Sequence, residues 1–314
     1  MPASRCAGKV AQLSMLLSSV GAVAVLGAQG SPFRSGVDLV PLDVCVTDRD
    51  GRYLAALTRD DFVIFENRVP QNLTFFSAEG ELPLTAVVLI DRSSSMNGSR
   101  LERAKAAATT FLQTLRGADH ASVLAFNEST SRIAAFGLPD AAGRPVESVH
   151  AHGQTALFDA VLVSLRELEA QRAHSLAATR EAIVIMSDGE DSASRNDFEE
   201  VHREVQRTGV IVYSISIRVD GRGRTLPPLH EFAQLANDSG GRVIALDDWT
   251  ALDAIYADIG AELRHMYRLA YVPRSAKDDG LWRALAVRVP GHDVRVRTRA
   301  GYFATRPVPG RGGP

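Results

Sequence analysis

A chain of 314 residues, 45% hydrophobic and 23% charged, is long enough for a sizeable core and ordinary in composition for a soluble globular protein. Its formal net charge of -2 supplies no global basic field, which argues against nucleic acid as a partner. Two cysteines, Cys6 and Cys45, leave no disulfide framework and no cysteine metal site.

The first thirty residues differ from the rest. Arg5 and Lys9 precede an apolar stretch, Val10 to Ala28, and small residues then lead into Gln29-Gly30-Ser31. A basic start, apolar middle and small-residue exit is the layout of a secretory signal peptide. Residues 1–28 are therefore expected to be cleaved, placing the mature chain in the periplasm or outside the cell. Residues 10–28 are also nearly long enough to span a bilayer, and their retention would anchor the chain in a membrane. Cys6 would leave with the peptide. Cys45, in the alternating run Leu39 to Val46, reads as a small buried hydrophobe.

Three regions follow, separated by hydrophobic period. Residues 36–80 are β-like. Val37 to Thr47 reads as a strand, Asp48-Arg49-Asp50-Gly51 as a hairpin turn, and Phe62–Glu66 and Leu73–Phe76 as further short strands. In residues 84–262 strands alternate with helices. Thr85–Ile90, His120–Asn127, Ala182–Ser187, Val210–Ile217 and Gly241–Ala245 are strands. Arg100–Leu115, Ala156–Ala170, Asn196–Arg207, Leu229–Asn237 and Leu252–Met266 are helices. The uninterrupted apolar runs suit strands covered on both faces, and the alternation predicts an α/β fold with a doubly wound, mostly parallel sheet.

The β period returns over residues 266–304, with strands at Tyr267–Val272, Trp282–Val289 and Val294–Tyr302. Arg295, Arg297 and Arg299 alternate along the last and read as a solvated sheet face. Residues 305–314 are Pro/Gly-rich and predicted to be disordered. Neither β flank has enough strands for its own core. The expectation is that they pair into one small β-sandwich carrying the α/β region as an insertion.

In open parallel sheets ligands bind beyond the carboxyl ends of the strands. One apolar run ends in Asp91-Arg92-Ser93-Ser94-Ser95, another in Ser187-Asp188-Gly189-Glu190-Asp191, and Gly153-Gln154-Thr155 precedes a helix. Asp91, Ser93, Ser95, Thr155 and Asp188 thus offer two carboxylates and three hydroxyls at one sheet edge. That set suits Mg²⁺, which takes near-octahedral oxygen ligation and keeps some of its waters; Mn²⁺ is the alternative. Neutral hydroxyls leave the metal electron-poor, so an acidic side chain from a partner can complete its coordination. The plainer reading also holds at this point: Ser93 and Ser95 precede one helix and Thr155 another, where such residues commonly serve as N-caps. Arg92 and Ser94 are expected at the rim, and Asp119 and Asp191 as loop groups. Asp91→Ala is expected to abolish metal binding and to spare the fold, as befits a loop carboxylate.

Asp91-x-Ser93-x-Ser95, Thr155 within Gly-x-Thr-Ala-Leu-x-Asp-Ala, and Asp188 within Ser-Asp-Gly-x-Asp resemble the von Willebrand factor A (integrin I-like) family over roughly residues 84–262. All five positions of that family's metal-ion-dependent adhesion site find matching residues here. The resemblance implies a doubly wound α/β domain and an exported, non-enzymatic binding or adhesion protein that engages an acidic group of a protein partner. The flanks, through Asp48-Arg49-Asp50-Gly51-Arg52, Leu57-Thr58-Arg59-Asp60-Asp61-Phe62 and Arg299-Ala300-Gly301-Tyr302-Phe303, resemble bacterial VWFA-related proteins typical of acidobacteria.

Two rival classes stay in view. A structural or self-associating module would use the metal only to hold its own loops. A metal-dependent phosphohydrolase also places an Asp after its first strand, but usually with a second Asp two residues on, where Ser93 stands. No Gly-x-Ser-x-Gly elbow and no Gly-rich turn after the first apolar strand occurs. His120, His150, His152 and His202 adopt no metal-ligand spacing on one helix, although His150 and His152 lie close to Thr155 in sequence. Asn-x-Ser/Thr triplets begin at Asn72, Asn97, Asn127 and Asn237, a pattern that often arises by chance.

Overall fold

The structure is a computed structural model that describes residues 39–304 except 79, 138–145, 176–177, 188–189, 218–223 and 275–278. The expected signal peptide, Cys6 and the 305–314 tail lie outside the described residues.

The chain begins with β1 (Val40–Thr47), β2 (Val63–Glu66), β3 (Val69–Gln71) and β4 (Leu73–Ser77). The sequence pattern gives no signal for β3, which has Pro70 at its centre. It lies at a sheet edge, where a missing N–H is tolerated.

The central sheet contains β5 (Leu84–Asp91), β6 (His120–Phe126), β7 (Thr130–Gly137), β8 (Arg180–Ser187), β9 (Ile211–Ser216) and β10 (Val243–Ala245), in the order β10-β9-β8-β5-β6-β7. All pairings are parallel except β6 with β7. Every residue of β5 and β8 is buried, because helices cover both faces. Helix α1 (Ser99–Thr114) packs on one face; α2 (Leu157–His174), α3 (Phe198–Thr208) and α4 (His230–Asp238) pack on the other; and α5 (Leu252–His265) returns to the side of α1. Ala86, Val88 and Ile90 meet α1 and α5, while Val87 and Leu89 meet α2, as the two-residue period of a strand requires.

The C-terminal flank supplies β11 (Tyr267–Tyr271), β12 (Trp282–Arg288), β13 (Arg295–Arg297) and β14 (Gly301–Phe303). Both flanks contribute to each of two four-stranded sheets, β13-β1-β11-β4 and β14-β12-β2-β3. Their shared core includes Leu42, Val44, Val46, Phe62, Ile64, Tyr267, Leu269 and Tyr271. The flanks therefore do close on each other.

Two expectations are corrected here. Val294–Tyr302 is two strands in different sheets, because the segment between them bonds elsewhere: Ala300 N donates to Asp238 O at the end of α4, and Leu285 N of β12 donates to Ala300 O. The alternating arginines are also not a solvated face. Only Arg295 is exposed; Arg297 pairs with the buried Glu262 of α5, and Arg299 is itself buried.

Strand β1 joins the two bodies. Val44 and Val46 face the sandwich, while Cys45 lies in the core beneath α1 and α5. Asp43 sits opposite Arg268 of β11 and accepts from its Nη2 at 2.6 Å and from Arg180 Nε, at the start of β8, at 2.9 Å. Arg180, 1% exposed, also donates Nη2 to Met266 O at 2.8 Å and Nη1 to Leu263 O. Cys45 is 3% exposed and burial pushes its thiol pKa up. A thiol reagent is therefore expected to label it only on unfolding; labelling of the native chain at the free-thiol rate would contradict this packing. Among the described residues no helix is long and apolar enough to cross a membrane.

Candidate metal centre

Because β5, β6, β8 and β9 run parallel, their carboxyl ends share one edge of the sheet. Asp91 ends β5 with none of its surface exposed. Its Oδ1 accepts the Ser93 N–H at 2.8 Å and its Oδ2 the Ser187 hydroxyl at 2.6 Å. The first of these turns the chain sharply after the strand and carries Ser93 and Ser95 to one side, with their Oγ atoms 3.0 Å apart. Ser93 is buried and Ser95 exposed.

The capping alternative does not hold. The N-cap of α1 is Gly98 and that of α2 is Ala156, neither with a side-chain cap, and Ser93 makes no side-chain cap to the 3₁₀ turn Ser94–Met96. Gly98 (φ 76) supplies a left-handed turn that the serines cannot easily adopt. These hydroxyls are thus not consumed by helix ends.

The loop bearing Thr155 is bonded to the Asp91 loop: Ser94 N donates to Gly153 O at 2.9 Å and His152 N to Arg92 O at 2.8 Å. Thr155, 7% exposed, takes a backbone link to the third loop, its N–H donating to Ser192 Oγ at 3.1 Å. Its hydroxyl has no partner among the described residues. Asp188 lies outside the described residues; it follows Ser187, the residue that donates to Asp91.

Asp91, Ser93 and Ser95 are therefore together, with the Thr155 loop bonded to theirs. The donor chemistry fits a small hard cation. The Ser93 and Ser95 hydroxyls are hydrogen-bonded to each other at 3.0 Å; adjacent oxygens around Mg²⁺, with bonds of about 2.0–2.1 Å, also stand about 3 Å apart. Among the described residues no three His, Cys, Asp or Glu side chains form a metal-binding group.

The remaining polar groups serve the loops. Arg92 reaches Asn127 Oδ1 and Ser131 Oγ, both at 3.3 Å. Asp191 Oδ2 accepts Phe158 N at 2.9 Å, and Asp159 in turn accepts Asn196 N at 3.1 Å, lacing the second loop to the third. Asp119 sits at the far end of the sheet, accepting from Leu84 N and Arg116 N, each at 2.8 Å. His150 and His152 are exposed.

Three contributors escape a sequence reading. Ser187 is one; its only signal is a hydroxyl ending an apolar strand. Glu128 is another, accepting Gln154 N at 2.9 Å, which draws its pKa down; it fills the space where a Cβ on Gly153 would stand 2.2 Å from Oε2. The third is Asn127. At 2% exposed it is no glycosylation acceptor; it donates Nδ2 to His152 O at 3.0 Å, and its carbonyl accepts Ala156 N at 2.8 Å. Asn127→Ala leaves the His152 carbonyl without that donor and is expected to cost about 1–3 kcal/mol. Denaturant unfolding checks this, and a loss within error would remove Asn127 from the loop framework.

Comparison with known proteins agrees with this architecture. No curated protein sequence matches the chain. Among solved structures, the von Willebrand factor type A protein from Catenulispora acidiphila is 15% identical and overlays with a TM-score of 0.51, covering 89% of this chain and 78% of its own. BatB from Bacteroides thetaiotaomicron is 18% identical over 57% of this chain and 98% of its own, with a TM-score of 0.45. The vWF domain of the type V pili tip protein Mfa5 from Porphyromonas gingivalis is 12% identical over 59% and 95%, with a TM-score of 0.47. Residues 86–258, more than half of the chain, match the von Willebrand factor type A domain, and with the parallel sheet and the loops at its carboxyl edge already in view, the chain belongs to that family.

Proposed function

We propose that this chain is a non-enzymatic binding protein that engages a carboxylate of a protein partner through Mg²⁺ or Mn²⁺ held by Asp91, Ser93, Ser95, Thr155 and Asp188. The observation that carries the reading is the pair of Ser93 and Ser95 hydroxyls, 3.0 Å apart beside the buried Asp91 and unused as helix caps. A bound cation supplies a Lewis-acidic point at the sheet edge. The chain's own residues orient it: Asp91 provides charge, the hydroxyls provide neutral donors, and the Ser94–Gly153 and His152–Arg92 bonds fix one loop against the other. Neutral donors leave positive charge for a partner's acidic group to meet.

Titration of Mg²⁺ and Mn²⁺ into the metal-stripped chain by calorimetry tests the cation. Saturable binding at one site, weakened in Ser95→Ala, is the expected result. Chelator-sensitive capture of a partner, abolished by methyl-esterifying the partner's carboxyl groups, tests the ligand class. Hydrolysis of p-nitrophenyl phosphate that depends on Asp91 would replace this reading with the phosphohydrolase one.

We also propose export, with residues 1–28 as signal peptide and retention of residues 10–28 as the membrane-anchored alternative. Sequencing the N-terminus of protein recovered from an export-competent bacterial host distinguishes the two, and recovery of the full-length chain in the cytoplasm would overturn both.

A further inference from the structure

The second sheet of the sandwich runs β14-β12-β2-β3. On its inner face Ile64, Leu285 and Val287 enter the core, and Glu66 and Arg283 are buried. An antiparallel sheet with one face on a core ordinarily turns polar side chains outward. This one does not. The register sets Ala286 beside Phe65, Phe65 beside Pro70, Trp282 beside Phe303 and Ala284 beside Gly301, and residues so paired share a face. Along β12 the exposed Ala284, Ala286 and Arg288 alternate with the buried Arg283, Leu285 and Val287. A Cβ on Gly301 would stand 2.3 Å from Trp282 Cζ2, so the indole lies across that glycine and meets the Phe303 ring edge-on, with centroids 5.1 Å apart. Leu281, the residue before β12, is 60% exposed.

The charges on this face are cationic. Arg288 lies over the Phe65 ring, 5.0 Å from its centroid. Arg68 is exposed in the turn between β2 and β3, at a left-handed φ of 69°. Among the described residues neither side chain forms an ion pair or a hydrogen bond. The carboxylate of these strands, Glu66, is turned inward and accepts from Tyr271 and Tyr302, and Asp279, ahead of β12, is held by Arg283.

Size and chemistry select the occupant. Strands about 4.8 Å apart, the longest of seven residues, give a face of about 400 Å² at most, against roughly 800 Å² per partner in a stable protein interface. Its centre, Phe65, Pro70, Ala284 and Ala286, offers no hydrogen-bonding side chain to a protein's polar groups, whereas acyl chains require none. Guanidinium groups suit phosphate oxygens, and an indole suits the boundary between an apolar layer and a wet one.

We propose that this face docks on an anionic lipid surface, with Trp282, Phe303 and Leu281 at the apolar boundary and Arg68 and Arg288 on the headgroup phosphates. The contact is peripheral and needs no divalent cation. It holds whether residues 10–28 are cleaved or retained.

The chain has two tryptophans, so Trp249→Phe leaves Trp282 as its one indole. The exported chain with that change is mixed, in chelator, with vesicles of phosphatidylcholine alone or with added phosphatidylglycerol, their acyl chains brominated to quench an indole at the membrane boundary. Quenching on the anionic vesicles is expected, weakened by salt and several-fold stronger than on phosphatidylcholine alone. Ala286→Glu, at an exposed position that spares the core, is expected to weaken binding roughly ten-fold or more, and Arg288→Gln about five-fold. Asp91→Asn should leave it unchanged. Absence of quenching overturns the proposal, as does equal quenching on the two vesicle types or undiminished binding in Ala286→Glu. A lipid-free dimer that Ala286→Glu splits, seen by sedimentation, would assign the face to a second copy instead. Should Trp249→Phe fail to fold, the difference in quenching between the two-tryptophan chain and its Ala286→Glu variant decides: no difference overturns the proposal.

Discussion

Replacing Asp43 with alanine is expected to destabilise the chain by about 3–5 kcal/mol, because it leaves two buried guanidinium groups without their shared counter-charge. For a domain of this size that is a fall in melting temperature of roughly 10 °C. The side chains of Arg180 and Asp43 are 2% and 8% exposed, so water cannot take over the lost bonds. Asp43→Asn keeps the shape and isolates the charge, and the difference between the two variants reads the electrostatic share. A loss below about 1 kcal/mol would place this triad with ordinary surface pairs.

The same group predicts a pH dependence. Burial by itself pushes the Asp43 carboxyl up, but Arg268 and Arg180 outweigh it and hold its pKa at about 2, against 3.8 for the free group. A carboxyl whose pKa is lower in the folded state stabilises that state above its unfolded value and loses the effect as pH falls. This contribution is thus complete above about pH 4 to 5 and drains away toward pH 2, a difference of about 2 kcal/mol. Unfolding curves of wild type and Asp43→Asn should converge across that window; parallel curves would mean that another carboxyl dominates acid sensitivity.

The second large expected effect is loss of the proposed Mg²⁺ binding in Asp91→Asn, with the melting temperature of the metal-free chain held within about 4 °C. Asparagine retains an acceptor for the Ser93 N–H and can receive or donate at Ser187, while the charge goes. Asp91→Ala is a harsher change than the sequence suggests. Asp91 is fully buried and holds both Ser93 N and the Ser187 hydroxyl, so truncation is expected to cost about 1–3 kcal/mol through unpaired groups. Magnesium binding undiminished in Asp91→Asn would remove this residue from the site. Unfolding of Asp91→Asn without metal would assign the carboxylate to loop architecture instead.

Much of the central sheet can be read directly from the chain. The runs Ala86–Ile90 of β5 and Ala182–Met186 of β8 are apolar throughout because both faces of the sheet are covered. Strand β7 is not legible: Thr130–Gly137 is half-buried along its length, so it has neither a continuous apolar run nor a clean alternation. The break between β13 and β14 has a similar cause, since Ala300 is diverted by a bond to the distant Asp238. At the site, Asp91, Ser93 and Ser95 share one turn, and local spacing exposes them. Asn127 and Ser187 act through partners 25 and 96 residues away, separations for which the sequence carries no period. Arg299 looks like its neighbours Arg295 and Arg297 until the fold places it behind Gly209.

The paired flanks impose an order of assembly. Asp43 and Arg268 are 225 residues apart in the chain, so β1 to β4 emerge during synthesis long before β11 to β14 exist to pair with them. Contacts that close so long a loop form late. The α/β domain, whose parallel strands all lie between them, must gather first and bring its own two ends together at the amino edge of the sheet. Until then β1 and β2 offer unpaired edges to any neighbouring chain. Ribosome-bound or truncated chains ending before Tyr267 should therefore be the aggregation-prone form of this protein, and co-expression of the missing C-terminal strands should rescue their solubility.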